Sequence, residues 1–315
     1  MAEPFKKRLL TNDNLSESLR SLFKDLVYVD VESSDRLVIN RVDSILVSIT
    51  SEFQKIDIFQ TPHFGTVLAL DGVIQVAEND EYIYHELLIH PASLLLPKIT
   101  SALVMGGGDG CAARELLRYN EIHEIDLVEI DINVVELCRK HMKTLNHGAL
   151  DDARVNIIVE DGKAYLKKNP QKRYDLIVSD LTEPYSLGTP TSELSRHLFS
   201  PPFYEYLKRY LEDYGILVLQ TGGIAQIPEV DKYHIQILKD LKKSFRAVVT
   251  AYVFIHSFDQ LWAITLASDF PYDFAGFKPD EALARKGISS LRFYDSISHM
   301  RTFHAPRNIR DLLKT

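Results

Sequence analysis

Hydrophobic and polar positions change rhythm twice along this chain of 315 residues. Near the start, Leu15, Leu19, Leu22, Phe23 and Leu26 recur at helical spacing, which predicts one surface helix as an N-terminal extension over residues 1–30. From Arg36 to Val76, short β-branched and aromatic runs alternate with polar residues, as in Leu46-Val-Ser-Ile-Thr, Phe53-Gln-Lys-Ile-Asp-Ile-Phe and Thr66-Val-Leu-Ala-Leu. Asp71-Gly72 between two apolar runs is a hairpin signal. Residues 31–80 therefore read as a small antiparallel β-domain.

After Glu81 the rhythm becomes helix, strand, helix, strand. Helices are predicted over 82–96, 112–119, 134–142, 203–211 and 233–245. Apolar strands are predicted over 102–105, 125–130, 155–159, 175–179 and 216–220, with 248–254 and 261–267 completing the sheet. Such alternation is the pattern of an α/β fold, a doubly wound and mostly parallel sheet occupying residues 81–315 together with a C-terminal extension.

Composition narrows the class without naming a function. Hydrophobic residues make up 45% and charged residues 25%, which suits a globular protein. No run approaches the roughly 20 apolar residues of a membrane span. The N-terminus lacks a secretory signal. Cys111 and Cys138 form neither a disulfide framework nor a metal-ligand spacing, and His141 with His147 has no further ligand to join it. A cytoplasmic protein without metal is expected. A net charge of −8 speaks against nucleic acid and allows a cationic small molecule.

The candidate chemistry sits at strand ends. The strand ending at Met105 runs into Gly106-Gly107-Gly108-Asp109-Gly110, where glycine lets backbone approach a ligand closely. About 20 residues on, the next strand ends in Glu129-Ile130-Asp131, where an acid can hold both ribose hydroxyls. The third strand leads into Glu160-Asp161-Gly162, suited to an adenine amino group. Three acidic strand ends fit an adenosyl ligand without pyrophosphate, as in the Rossmann-like domains of S-adenosylmethionine-dependent methyltransferases. The glycine spacing does not match the dinucleotide fingerprint, and Asp109 would repel a pyrophosphate. Asp109 would also repel the carboxylate of S-adenosylmethionine but attract the ammonium of its decarboxylated form. A fourth strand delivers Asp180-Leu-Thr-Glu183-Pro, two carboxylates able to hold a polycation and take up a proton.

The run Leu70-Asp-Gly-Val-Ile-Gln75-Val-Ala-Glu-Asn-Asp80-Glu-Tyr-Ile-Tyr84-His85-Glu-Leu-Leu-Ile-His90-Pro resembles the signature of spermidine synthases, the polyamine aminopropyltransferases. Met105-Gly-Gly-Gly-Asp109-Gly, Val128-Glu-Ile-Asp131 and the Asp180–Pro184 segment resemble it too. The resemblance implies that Gln54 and Gln75 contact the nucleoside or the amine, and that Tyr84 positions the attacking amine with His85 beside it. It implies that Asp109 holds the aminopropyl ammonium, Glu129 the ribose, and Asp161 with Gly162 the adenine. Asp180 would accept the proton, Glu183 bind the acceptor, Gln220 line the amine channel and Pro190 touch the nucleoside.

The Asp-Leu-Thr-Glu-Pro form, Gln220-Thr-Gly-Gly, Ser257-Phe-Asp-Gln-Leu-Trp262 and the C-terminal tail are more similar to thermospermine synthases and triamine/agmatine aminopropyltransferases. Decarboxylated S-adenosylmethionine would be the co-substrate, with no tightly bound cofactor. Agmatine or a triamine such as spermidine is favoured over putrescine as acceptor, and a homodimer or homotetramer is expected. A spermidine synthase using putrescine, a methyltransferase on the same fold and a non-catalytic binder are the alternatives. Trp262 reads either as a core aromatic or as a wall of the amine pocket.

Overall fold

The computed structural model describes residues 8–11, 26–31, 37–181, 185–186, 189–190, 197–305 and 307–312. Strands β1 (Arg8–Thr11), β2 (Leu26–Val31) and β3 (Leu37–Arg41) form a small antiparallel sheet. Where residues 1–30 were expected to be helical, the described stretches Arg8–Thr11 and Leu26–Val31 are strands, with Arg8 paired to Val29 and Thr11 to Leu26. The cause lies in Leu26-Val-Tyr-Val-Asp-Val, whose β-branched residues favour extended backbone and whose Val27, Tyr28 and Val29 are all buried. Leu15, Leu19, Leu22 and Phe23 lie outside the described residues.

Strands β4 (Ser44–Thr50), β5 (Lys55–Thr61), β6 (Gly65–Leu70) and β7 (Val73–Ala77) follow as an antiparallel meander. Asp71 and Gly72 have φ of 49° and 76°, the two left-handed residues that a tight hairpin between twisted strands requires. Tyr28 joins the two small sheets. Its ring stacks on Phe59 at 5.3 Å, and its hydroxyl donates to the Gly72 carbonyl.

The larger unit starts with α1 (Glu81–Leu95) and continues through β8 (Ser101–Gly106), α2 (Cys111–Leu116), β9 (Glu124–Glu129), α3 (Ile132–His141), β10 (Val155–Val159), α4 (Gly162–Lys168) and β11 (Tyr174–Asp180). A two-residue ladder, β12 (Tyr185–Ser186) with β13 (Thr189–Pro190), precedes α5 (Pro201–Lys208), β14 (Leu211–Ile224), α6 (Pro228–Ser244), β15 (Ala247–Ile255) and β16 (Gln260–Ser268). The seven-stranded sheet has the order β10-β9-β8-β11-β14-β16-β15. Five neighbours run parallel, and β16 enters antiparallel between β14 and β15. The result is a Rossmann-like mixed sheet behind a small antiparallel one. Strand order reverses between β8 and β11, and such a switch point opens a crevice beyond the strand ends.

Helix α1 is buried on nearly all sides, so its polar residues must find partners inside the protein. Glu86 shows how. Its carboxylate accepts from the backbone N–H groups of Arg292, Phe293 and Tyr294, each at 2.8 Å. This anchors the chain between α7 (Pro279–Arg285) and α8 (Ser296–Phe303). The last described helix is α9 (Arg307–Leu312), and no helix among the described residues is long and apolar enough to cross a membrane.

Glu86→Gln would replace two acceptor oxygens by one and leave donors unmatched. Bonds to a charged acceptor are worth about 1.5–3 kcal/mol each, so the variant is expected to lose about 2–4 kcal/mol in urea unfolding, with faster amide exchange at 292–294. Unchanged stability and exchange would deny Glu86 this anchoring role.

Candidate functional site

Two glycines make the cleft possible. Gly106 ends β8 with φ of 79°, opposite Asp180 in the ladder. A Cβ there would fall 2.2 Å from the Asp180 carbonyl oxygen, so no other residue lets β8 and β11 end this close together. Gly108 does the same for the next strand, since a Cβ on it would meet Glu129 Oε2 at 3.0 Å. The glycine loop thus lies flat between the ends of β9 and β11. Asp109 then turns the chain into α2 by accepting from the Cys111 N–H at 2.7 Å.

The resulting cleft encloses about 240 Å³. Gln54, Gln75, Tyr84, His85, Gly106, Gly107, Gly108, Asp109, Glu129, Asp161, Gly162, Asp180 and Gln220 all line it, although they come from both sheets and the helix between them. The structure also supplies walls that strand-end motifs did not reveal. Met105, Val128, Ile130 and Val134 make an apolar face near Glu129, and Phe258 and Trp262 enclose the side near Tyr84. Trp262 is therefore a cleft wall as well as a largely buried residue. In the sequence it reads either as a core aromatic or as a wall of the amine pocket, and in the fold it starts a strand that pairs with β14 beyond Gln220.

Three expected residues need separate comment. Asp131 is fully buried and is not among the residues lining the cleft. One of its oxygens caps α3 through the Asn133 N–H at 3.0 Å, and the other accepts from Ser51 at 2.6 Å and Gln54 at 3.3 Å. With both oxygens engaged it clamps the β4–β5 turn to α3, and these bonds outweigh burial to hold its carboxyl below the usual range. Pro190 is placed in β13 opposite Tyr185. Glu183 lies outside the described residues.

Charge is concentrated at one end of the cleft. His85, Asp109 and Asp180 each present an atom within 4.8 Å of the others. The Tyr84 hydroxyl donates to Asp180 Oδ1 at 2.5 Å. Burial pushes the Asp180 carboxyl up to about 6 and the Asp109 charge adds to this, while His85 and the Tyr84 bond pull the other way. A carboxylate so placed is ionised at neutral pH yet basic enough to take a proton. At the opposite end, Glu129 is also raised, first by burial. Asp161 caps α4 by accepting from the Ala164 N–H at 2.8 Å.

Fold and cleft define an α/β protein with a nucleoside-sized crevice that ends in paired carboxylates. A family model described as Spermine/spermidine synthase domain matches residues 81–271, and one described as Spermidine synthase tetramerisation domain matches 28–78. A polyamine aminopropyltransferase from Pyrobaculum aerophilum is 33% identical over 286 residues, covering 89% of this chain and 95% of the relative. One from Saccharolobus solfataricus is 33% identical over 270 residues, covering 85% and 87%. Among solved structures, spermidine synthase from Thermotoga maritima aligns with a TM-score of 0.78 at 28% identity, over 92% of this chain and 95% of that one. A spermidine synthase in complex with the transition-state analogue AdoDATO aligns at 0.80 and 27%, over 98% of each chain. The chain belongs to the spermine/spermidine synthase family, the polyamine aminopropyltransferases.

The raised Asp180 carboxyl also has a consequence for stability. Its folded value of about 6 lies above the ordinary aspartate value, so its ionised form disfavours the folded state above that pH. The penalty fades as pH falls through 6 toward the ordinary value. Asp180→Asn is therefore expected to melt a few degrees higher than wild type at pH 8, with the gain gone by about pH 4. A gain that is absent at pH 8, or constant with pH, would show that Asp180 carries no such penalty.

Proposed function

We propose that this chain transfers the aminopropyl group of decarboxylated S-adenosylmethionine to an amine acceptor and releases methylthioadenosine. The observation that carries the reading is the Tyr84–Asp180 hydrogen bond facing Asp109 across the glycine loop. The nucleoside would lie along Glu129 and the Asp161–Gly162 turn, with Gln54 and Pro190 beside it. Its terminal ammonium would rest on Asp109. The acceptor would then occupy the space between Tyr84, Gln75, Gln220, Phe258 and Trp262.

The chemistry needs a base and good aim rather than a strong electrophile. Asp180 takes a proton from the acceptor ammonium, while Tyr84 holds the freed nitrogen. The nitrogen lone pair attacks the carbon next to the sulfonium, so that a C–N bond forms as the C–S bond breaks. The bonding electrons pass to sulfur, which leaves as a neutral thioether. Positioning two cations in line against a negative cleft supplies much of the acceleration.

The acceptor is agmatine or a triamine such as spermidine, in preference to putrescine. Asp180-Leu-Thr-Glu183-Pro supports this, since Glu183 carries its charge one methylene further than the aspartate usual in spermidine synthases. The protein would work in the cytoplasm as a homodimer or homotetramer. The edge strand β4 supports assembly, because Ile45, Leu46 and Ile49 are 43%, 41% and 39% exposed and an uncovered apolar edge invites pairing.

Mass spectrometry of parallel reactions with putrescine, cadaverine, agmatine, norspermidine and spermidine tests the whole reading. One aminopropyl unit is expected on agmatine or a triamine, with methylthioadenosine released. Putrescine as best acceptor would overturn the acceptor assignment, and no product with any amine would overturn the transferase. Asp180→Asn is expected to lower turnover by about 10²–10⁴-fold while methylthioadenosine still binds. Wild-type turnover would remove Asp180 from the base role.

A further inference from the structure

A chain of buried charges runs away from the cleft. His85 Nε2 faces Asp109 Oδ1 at 3.8 Å, and His85 Nδ1 lies 2.9 Å from both Glu81 Oε2 and the Glu81 carbonyl oxygen. Arg114 holds the same Glu81 with two nitrogens, each at 2.8 Å. Arg114 also meets Glu115 at 2.8 Å, and Glu115 meets Arg118 at 2.6 Å and His90 at 2.9 Å. His85, Glu81, Arg114 and Glu115 are all buried, on two helices packed together behind the glycine loop.

Geometry fixes the state of the His85 ring. Both groups at Nδ1 are oxygens, and a Glu81 carboxylate gripped by Arg114 can only accept, so Nδ1 carries a proton. A neutral ring would then turn the Nε2 lone pair toward Asp109, with Asp180 close by. Two negative groups facing that lone pair favour a second proton there. We propose that Glu81 and Arg114 are positioning residues for the transfer, locking His85 as an imidazolium that offsets the Asp109 and Asp180 carboxylates.

The inference rests on the aminopropyl-transfer reading, but the ring's charge can be measured without it. Burial opposes a charge on His85, yet the Glu81 hydrogen bond and the Asp109 and Glu81 charges prevail and raise it to about 9. The groups facing the ring are Glu81 and Tyr84 from α1, Asp109 from the loop, Cys111 and Arg114 from α2, and Asp180 from β11. With His85 charged, Asp180 stays ionised at a lower pH than it otherwise would. Arg114 acts at one remove, by keeping Glu81 ionised and aimed.

The test compares wild type with Glu81→Gln, and with Glu81→Gln/Arg114→Gln, which removes both buried charges should the single variant fold poorly. Nitrogen NMR of labelled histidine in the free protein is expected to show His85 doubly protonated at pH 8 in wild type and neutral in the variants. With one acceptor throughout, the alkaline fall of kcat/KM is expected to move down by about one pH unit or more. At pH 8.5, kcat is expected to drop about tenfold and KM for the nucleoside to change by less than about threefold. A neutral His85 in folded wild type overturns the proposal whatever the enzyme catalyses. A charged His85 with superimposable pH profiles overturns the positioning role, as does a loss confined to nucleoside KM. If no amine is modified at all, the transfer reading fails while the NMR result on His85 stands by itself.

Discussion

Two carboxylates that would repel each other are held at one end of a single crevice, and the surrounding structure exists to tolerate that. Asp109 and Asp180 reach the same space because Gly106 has no side chain to separate β8 from β11. Burial, with the Asp109 charge added to it, raises Asp180 to about 6. Tyr84 donates to one of them and His85 faces the other, so each acid has a partner before any ligand arrives. The offset is partial. Negative charge left over in a confined, half-apolar cleft is what a cationic nucleoside and a polyamine can satisfy, and protonated amines are the groups that gain most from it.

That arrangement explains why the interior carries so much charge. A buried ion pair contributes little net stability compared with a well-packed apolar pair, because desolvation cancels most of the attraction. Alternating acids and bases from Asp109 to Arg118 would be a poor way to stabilise two helices. As a support for a charged cleft they make sense, since each member fixes the orientation of the next. A similar cost appears at Asp180, whose buried carboxylate disfavours the folded state above about pH 6.

Much of this was legible in the sequence, and the failures have identifiable causes. Alternation, strand-end acids and Asp71-Gly72 located the sheets and the glycine loop, because local periodicity and turn chemistry act over a few residues. Residues 26–31 misled because Leu26 continues a helical spacing while Val27, Val29 and Val31 favour a strand, and the pairing with β1 decides between them. Asp131 looked like a second ribose acid. Two residues past Glu129, it is engaged instead with the helix cap and the β4–β5 turn. The Glu86 anchor joins positions more than 200 residues apart, and nothing local to either end announces such a contact.

Helix α1 shows why fold and chemistry cannot be separated here. At 100° per residue, Glu81, Tyr84, His85 and Leu88 share one face, and Glu86, His90 and Ser93 lie on the opposite one. The first face meets the cleft and α2, and Glu86 on the second holds the C-terminal segment. Amphipathic patterning would give such a helix one apolar face and one wet face. This one has neither, because it packs on the large sheet and is covered by α2, α7 and the C-terminal segment, so that nearly all of it is interior. Its polar residues are therefore attachments, each spent on a different neighbour. Glu86 is two and one residues from Tyr84 and His85, so the helix that carries the C-terminal anchor also carries the hydrogen-bond partner of Asp180.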